Sequence, residues 1–452
     1  YLGYDGLFGI PSGISATYLV LFIIFGCVME RTGAGQVIMD LACAAAGRSR
    51  GGPAKIAVIS SALFGSISGA AVANVYSTGV FTIPLMKRLG YRPEFAGAVE
   101  AVASTGGQIM PPVMGAAAFL MAEWLSIPYS SICVAALLPA ILYYLAVIVM
   151  VHLEAARTGM TGLEEQEIPK MRDIVKRLYL LLPLVVLTVM LFVGYSVARS
   201  VLFSTILAIV LSMLSPATRL SVRDILETLS VGSQRSCMLA MATASAGLII
   251  GVVTETGIGL TLTSNIVVYF KDTLPLALVF IMVASLIMGM GVPTVVAYLL
   301  VATLTALQAH MFGFYFAVIS MITPPVAMAS WAGAEIAGAN FNHTGLQAVK
   351  LGIVAFIIPF MFVYDDALLL QSDFFHTVMV IVFAVIGIFA LASGLEGWMI
   401  RRIAPVPRVL LVVAGILLID PSWQTDLIGL AALLGVFAWQ RLSERKVRGM
   451  SN

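Results

Sequence analysis

The chain has 452 residues, 60% of them hydrophobic and only 11% charged, with a net charge of +2 and a mean hydropathy of +1.02. Soluble domains carry about 25% charged residues, so a water-soluble fold is excluded and the partner composition implies first is the lipid bilayer. No basic stripe or aromatic platform points to nucleic acid. No Walker loop, GxSxG elbow or His-rich cluster points to an enzyme or an ATP-driven pump.

The chain starts at Tyr1 with no signal peptide, which reads as a processed chain or one lacking an upstream part. A first apolar span is expected over 13–30, long enough for the roughly 20 residues a bilayer needs. The turn Arg31-Thr32-Gly33-Ala34-Gly35 leads into an amphipathic stretch, 32–47, expected to lie along the membrane surface. Residues 54–86 read as two short apolar arms meeting at Gly65-Ser66-Ile67-Ser68-Gly69, a re-entrant helical hairpin. Non-helical backbone survives at membrane depth only where protein or a water-filled cavity satisfies it. In Ala103-Ser104-Thr105-Gly106-Gly107-Gln108-Ile109-Met110-Pro111-Pro112, Gly-Gly releases one helix and Pro-Pro suits the first turn of the next. Spans follow at 130–151, 176–196, 198–215 and 236–254, then a second surface stretch at 256–270. A second broken apolar region, 274–307, meets at Gly289-Met290-Gly291-Val292-Pro293-Thr294, and Ser320-Met321-Ile322-Thr323-Pro324-Pro325 forms a second helix break. The last spans are expected at 345–364, 374–393, 406–419 and 424–440.

These landmarks repeat. The glycine turns stand 255 − 31 = 224 residues apart and the hairpin breaks 289 − 65 = 224 apart, while the proline pairs stand 324 − 111 = 213 apart. The second half is thus about eleven residues shorter between hairpin and proline pair, and Thr305–Phe312 reads as the place of a deletion. Charge gives the halves opposite direction. Arg48, Arg50, Lys55, Lys87, Arg88 and Arg92 flank the first hairpin and put its ends in the cytoplasm. After Lys271-Asp272 no Lys or Arg occurs until Lys350, which puts the ends of the second outside. The expected fold is an all-α polytopic membrane protein, an inverted repeat with two re-entrant hairpins and two broken helices. Its units are 1–47 (first scaffold span and surface arm), 48–128 (first hairpin and broken helix), 129–235 (scaffold spans and linker), 236–273 (second scaffold span and arm), 274–340 (second hairpin and broken helix) and 341–452 (a scaffold span and extra spans). The C-terminus falls in the cytoplasm, in a bacterial or archaeal inner membrane. In secondary transporters the interrupted segments of two such halves build a site near the bilayer midplane.

Hydroxyls, the Asn74 amide and glycine-exposed backbone at the first tip are hard ligands suited to Na⁺. Half-helix N-termini after the proline pairs suit an anion, each contributing up to ~2 kcal/mol when partly buried. Glu100 sits within an apolar run, where a carboxylate costs on the order of 3 kcal/mol on insertion scales, and so reads as a structural or proton-handling group. Glu123 and Glu335 occupy matching places after the proline pairs and read equally as interfacial residues. The four cysteines and four histidines are isolated, which argues against a metal site other than Na⁺.

The run Ser61–Gly69, Ala73-Asn74-Val75, Phe81-Thr82-Ile83-Pro84-Leu85-Met86, Glu94–Pro112, Gly289–Thr294 and Ile322–Val326 together resemble the fused membrane subunit of TRAP transporters, and within them the TAXI branch. The resemblance spans nearly the whole chain. It implies an elevator-type importer without cofactor, driven by an ion gradient, Na⁺ first and H⁺ second, and fed a small organic anion by a periplasmic TAXI-type binding protein. By position it implies Ser66, Ser68, Asn74, Gly106 and Gly107 at one ion site, and Gly289, Gly291, Thr294 and Thr323 at its symmetry mate. The carboxylate substrate would lie among Gly69, Asn74, Thr78, Gln108, Pro111, Pro112, Pro293, Pro324 and Pro325. Met321 stands where the branch often has Asp, which leaves the coupling ion open. A standalone dicarboxylate/sodium symporter and an uncoupled channel or scaffold stay open beside this reading.

Overall fold

The computed structural model describes residues 6–257, 273–290, Thr294, Tyr298, 307–420 and 422–449. Among these residues the fold is all-helical, with no strand beyond a lone bridge between Trp398 and Arg402. Residues 258–270 of the second surface stretch, the sites expected at Gly291 and Pro293, and the 305–306 end of the suspected deletion lie outside the described residues. The rest of that segment, from Leu307, is helical.

The first half opens with α1 (Ile10–Arg31) and α2 (Ala34–Ala46). The glycine turn between them is real: Gly33 has φ 83°, a left-handed conformation that costs glycine nothing. Then come α3 (Gly52–Ser68) and α4 (Ala71–Arg88), packed side by side as a hairpin. At about 1.5 Å per residue each arm is about 26 Å long, short of the ~30 Å hydrocarbon core. The tip differs from expectation. Gly65, Ser66, Ile67 and Ser68 remain helical, and only Gly69 (φ 63°) and Ala70 make the turn. Helix α5 (Pro93–Gly106) follows, buried at every residue from Phe95 to Gly106. A helix apolar on all sides belongs in a core. It lies against both arms of the hairpin. The chain is non-helical from Gly107 to Gly115, and α6 (Ala116–Trp124) starts after it. Thus the proline pair lies inside the break, not in the first turn of the next helix.

Helix α7 (Tyr129–Thr158) is one of four helices long and apolar enough to cross a bilayer among the described residues; the others are α1, Phe374–Glu396 and Trp423–Leu442. The span expected at 176–196 is met by the stretch Leu178–Val193, which includes α8 (Leu182–Val193), and a 72° bend separates it from Glu165–Val175 ahead of it. After α9 (Val197–Ser212), helix α10 (Val222–Thr256) runs unbroken for 35 residues. The basic stretch at 219–235 is therefore mostly helix. Ser221 caps it, its hydroxyl bonded to Asp224 (2.6 Å) while it accepts from the Asp224 N–H (3.2 Å), a reciprocal cap.

The second half contributes α11 (Leu274–Met288), α12 (Leu307–Ile319) and α13 (Met328–Ala337). Like α5, α12 is buried throughout, from His310 to Ile319. Two helices, α14 (Phe341–Leu351) and α15 (Ile353–Tyr364), meet at Gly352 with a 40° bend where one span was expected. The chain ends in α16 (Phe374–Glu396), α17 (Pro405–Ile419) and α18 (Trp423–Gly449). The halves meet where α13 crosses α4 and α5. At that crossing Gly97 and Gly333 face each other: a Cβ on Gly97 would stand 2.7 Å from the Gly333 carbonyl oxygen, and one on Gly333 would stand 2.4 Å from the Gly97 oxygen. Small residues that let helix backbones touch are the usual interface in membranes.

Candidate functional site

The first hairpin tip docks on the break after α5. The Val113 N–H donates to the Ser66 carbonyl (3.2 Å), and the Gly115 N–H closes the break onto the Gln108 carbonyl (2.7 Å). Gly69 leaves no room for a side chain, since its Cβ would stand 2.2 Å from the Met114 oxygen. Gly65 and Gly107 touch through their backbones, a Cβ on Gly65 falling 2.7 Å from the Gly107 Cα.

Helix α7 satisfies the exposed backbone of this break, which membrane depth requires. Tyr143 donates to the Val102 oxygen (2.6 Å) and Tyr144 to the Ala103 oxygen (2.8 Å), at the end of α5 where carbonyls lose their helical partners. Tyr129 donates to the oxygens of Pro112 (3.0 Å) and Val113 (2.5 Å). No signal in the sequence separates these tyrosines from lipid-facing or core aromatics.

The second half repeats this geometry. Gly289 presses on Ser320, its Cβ falling 2.3 Å from the Ser320 Oγ. Gly289 matches Gly65 at 224 and Ser320 matches Gly107 at 320 − 107 = 213. After each proline pair a non-glycine residue is left-handed, Met114 (φ 61°) and Ala327 (φ 40°), again 213 apart. The halves then join: buried Thr294 donates to the Gln108 Oε1 at 2.7 Å.

The residues expected at the first ion site divide. The Ser66 hydroxyl donates to the Leu63 carbonyl (2.8 Å). The Asn74 amide donates to the Ser61 carbonyl (2.9 Å), tying one arm to the other. Gly106 turns away from the tip, toward α7, where a Cβ would stand 2.3 Å from the Tyr143 ring. Ser68 Oγ is buried with no hydrogen-bond partner among the described residues, and so is Thr105 Oγ1, which the sequence did not single out. In the second half the Thr323 hydroxyl donates to the Ile319 carbonyl (2.8 Å), and Pro324 is half-buried while Pro325 is exposed. In the first, Pro112 is buried and Pro111 half-buried. Glu123 and Glu335 are both exposed, and Glu335 accepts from Tyr76 (2.5 Å), so neither is a buried carboxylate. Thr78 belongs to another cluster, around Glu100. No group of three or more His, Cys, Asp or Glu gathers among the described residues.

The family model of the tripartite ATP-independent periplasmic transporter, DctM component, matches residues 9–377. The chain belongs to this DctM family. It is 30% identical over 148 residues to the uncharacterized protein y4mL of Sinorhizobium fredii, covering 33% of this chain and 35% of y4mL. It is 30% identical over 134 residues to the C4-dicarboxylate TRAP transporter large permease protein DctM of Pseudomonas aeruginosa, covering 30% of this chain and 31% of that protein. The sialic acid TRAP transporter permease protein SiaT of Haemophilus influenzae is 23% identical over 358 residues, covering 75% of this chain and 55% of SiaT. The chain thus spans about a third of the length of the first two and about half of SiaT. Its apolar helices and its membership in the DctM family make it a multi-pass membrane protein.

Proposed function

We propose that the chain is the large permease unit of a TAXI-type TRAP transporter, importing a small organic anion on an ion gradient and receiving it from a periplasmic binding protein. The meeting of the two halves at Thr294 and Gln108, beside the first hairpin tip, carries this reading. A site built from both halves at their helix breaks is what alternating access about a fixed centre requires. The α3–α6 and α11–α13 units would move together as the elevator. Na⁺ is the coupling ion that the first tip favours: Ser68 Oγ at the end of α3 and Thr105 Oγ1 near the end of α5 are hard oxygens, buried and without a hydrogen-bond partner among the described residues. The Ser68 and Thr105 hydroxyls would hold the ion, and the break's backbone carbonyls would complete its shell. The ion would supply positive charge next to the anion's carboxylate. Gln108 and the half-helix starts at Ala116 and Met328 would face the anion.

Reconstitution tests this. With the chain in proteoliposomes, uptake of a radiolabelled C4-dicarboxylate or sialic acid panel is expected only when a TAXI-type binding protein and an inward Na⁺ gradient are both present. Uptake with no soluble component would make the chain a standalone symporter. Conductance independent of substrate would make it a channel. Ser68→Ala and Thr294→Ala are expected to raise the Na⁺ concentration for half-maximal uptake by about tenfold, equivalent to ~1.4 kcal/mol of ion binding, while the protein still inserts. Unchanged Na⁺ dependence in both variants would remove these residues from the site.

A further inference from the structure

Glu100 is fully buried at the joint between the first hairpin and α5, and four hydroxyls surround its carboxyl group. Ser61 donates to Oε1 (2.6 Å) from α3, Thr78 (2.5 Å) from α4, and Ser104 (3.1 Å) from α5 itself. Thr82, also on α4, meets Oε2. Gly79 lets the arm come this close, a Cβ there falling 3.1 Å from the Glu100 Cγ. No salt bridge to Glu100 occurs among the described residues. A buried charge is ordinarily paired or binds a cation.

The charged and titratable groups of the surrounding helices are engaged elsewhere. Lys55 of α3 meets His152 and Ser49, Lys87 of α4 meets the Ala337 oxygen, Tyr76 of α4 meets Glu335 of α13, and Lys350 of α14 meets Glu396. Tyr144 of α7 feels the Glu100 charge, and its hydroxyl is given to Ala103, as that of Tyr143 is to Val102.

We propose that Glu100 is a proton-binding site of the first half, with the Thr82 hydroxyl as the group that turns when the proton comes or goes. The hydrogen bonds balance in both states. With the proton on Oε2, Glu100 donates to Thr82 Oγ1, and the Thr82 hydroxyl donates to the Thr78 carbonyl, 3.2 Å away. When that proton leaves to water, the Thr82 hydroxyl turns onto Oε2. In both states Oε1 accepts from Ser61, with Thr78 or Ser104 beside it. Only O–H bonds change. The oxygens stand at direct hydrogen-bond distances. Calcium holds its oxygens about 2.3–2.6 Å from the ion, which sets single-oxygen ligands further apart than these hydrogen-bonded oxygens stand, so the proton is the cation assigned to this cage. Donors to the ionised form come from both hairpin arms, so parting the arms strips them away and ties proton uptake to hairpin opening. The second half has Gly313 at the matching position (100 + 213 = 313), so the site belongs to one half only.

The use of this proton in transport rests on the reading proposed above; its binding does not, and the test reads binding alone. Infrared difference spectra of the purified full chain in lipid nanodiscs would be titrated between about pH 5 and pH 9, with sodium or choline as the salt. The expected result is one protonated-carboxyl band that titrates in the native chain and is lost in Glu100→Gln. Its midpoint should shift by about one pH unit or more, tenfold in proton affinity, in Thr82→Val. Sodium should leave it unmoved. A native spectrum with no such band, a band that survives in Glu100→Gln, or a midpoint unmoved in Thr82→Val would overturn the proposal. Displacement of the band by sodium at fixed pH would overturn it in favour of a metal cage. If Glu100→Gln does not fold, the Thr82→Val shift decides.

Discussion

Gly97→Leu is expected to prevent the chain from folding into a single species. Even a Cβ at this position would lie 2.7 Å from the Gly333 oxygen and 2.9 Å from its carbonyl carbon, both backbone atoms of α13. Backbone cannot turn aside as a side-chain tip can, so the two halves must separate. Overpacking by a methyl or two costs about 1–3 kcal/mol, occasionally more; a leucine adds four carbons at the one crossing where α5 and α13 touch. Gly435→Ala, at a position with nothing within 4 Å, is the matched control. The check is size-exclusion chromatography of detergent-solubilised protein. Gly97→Leu should lose the monodisperse peak and Gly435→Ala should keep it. A native-like peak for Gly97→Leu would mean that the α5–α13 contact does not hold the halves together.

Gly65→Val is expected to leave a folded but inactive protein. Its Cβ would lie 2.7 Å from the Gly107 Cα and 2.8 Å from the Asn74 Nδ2, so the first hairpin tip must lift off the break. The close approach of Gly97 and Gly333 between α5 and α13 is a separate contact. Uptake in proteoliposomes should fall by at least about a hundredfold, since roughly 1 Å of misplacement costs about that in other positioned sites. The size-exclusion profile should be retained. Uptake within a factor of two of the native chain would show that the tip and the break need not meet.

The repeat was legible because glycine and proline mark helix ends independently of context. The 224 and 213 offsets found in sequence return as the Gly65–Gly107 and Gly289–Ser320 approaches and as left-handed Met114 and Ala327. Membership in the DctM family, read from the same residues, was likewise legible. Element boundaries were less so. The sequence puts the tip over Gly65–Gly69, yet the helix runs on to Ser68 and only the Gly69 end of that stretch turns, because glycine permits an unwound turn without demanding one. The basic stretch before residue 236 reads as a linker, although the Ser221 and Asp224 pair near its beginning marks a helix start. The bend at Gly352 went unseen in a continuous apolar run. Tyr129, Tyr143 and Tyr144 were invisible for a different reason. Their value lies in carbonyls supplied by a segment 16 to 41 residues away, and no local pattern reports that. Glu100 was visible as a carboxylate out of place, but the hydroxyls around it come from three helices and appear only once these are packed.

Two hairpins of opposite direction that converge on one site must have their bases on opposite faces of the membrane, where labelling can find them. With Cys27, Cys43, Cys133 and Cys237 replaced by serine, a single cysteine would be placed at Arg50, ahead of the first hairpin, or at exposed Thr273, ahead of the second. Right-side-out vesicles would then be treated with a membrane-impermeant maleimide. The account predicts labelling at position 273 in intact vesicles and at position 50 only after permeabilisation. Labelling of both positions from the same face would contradict it.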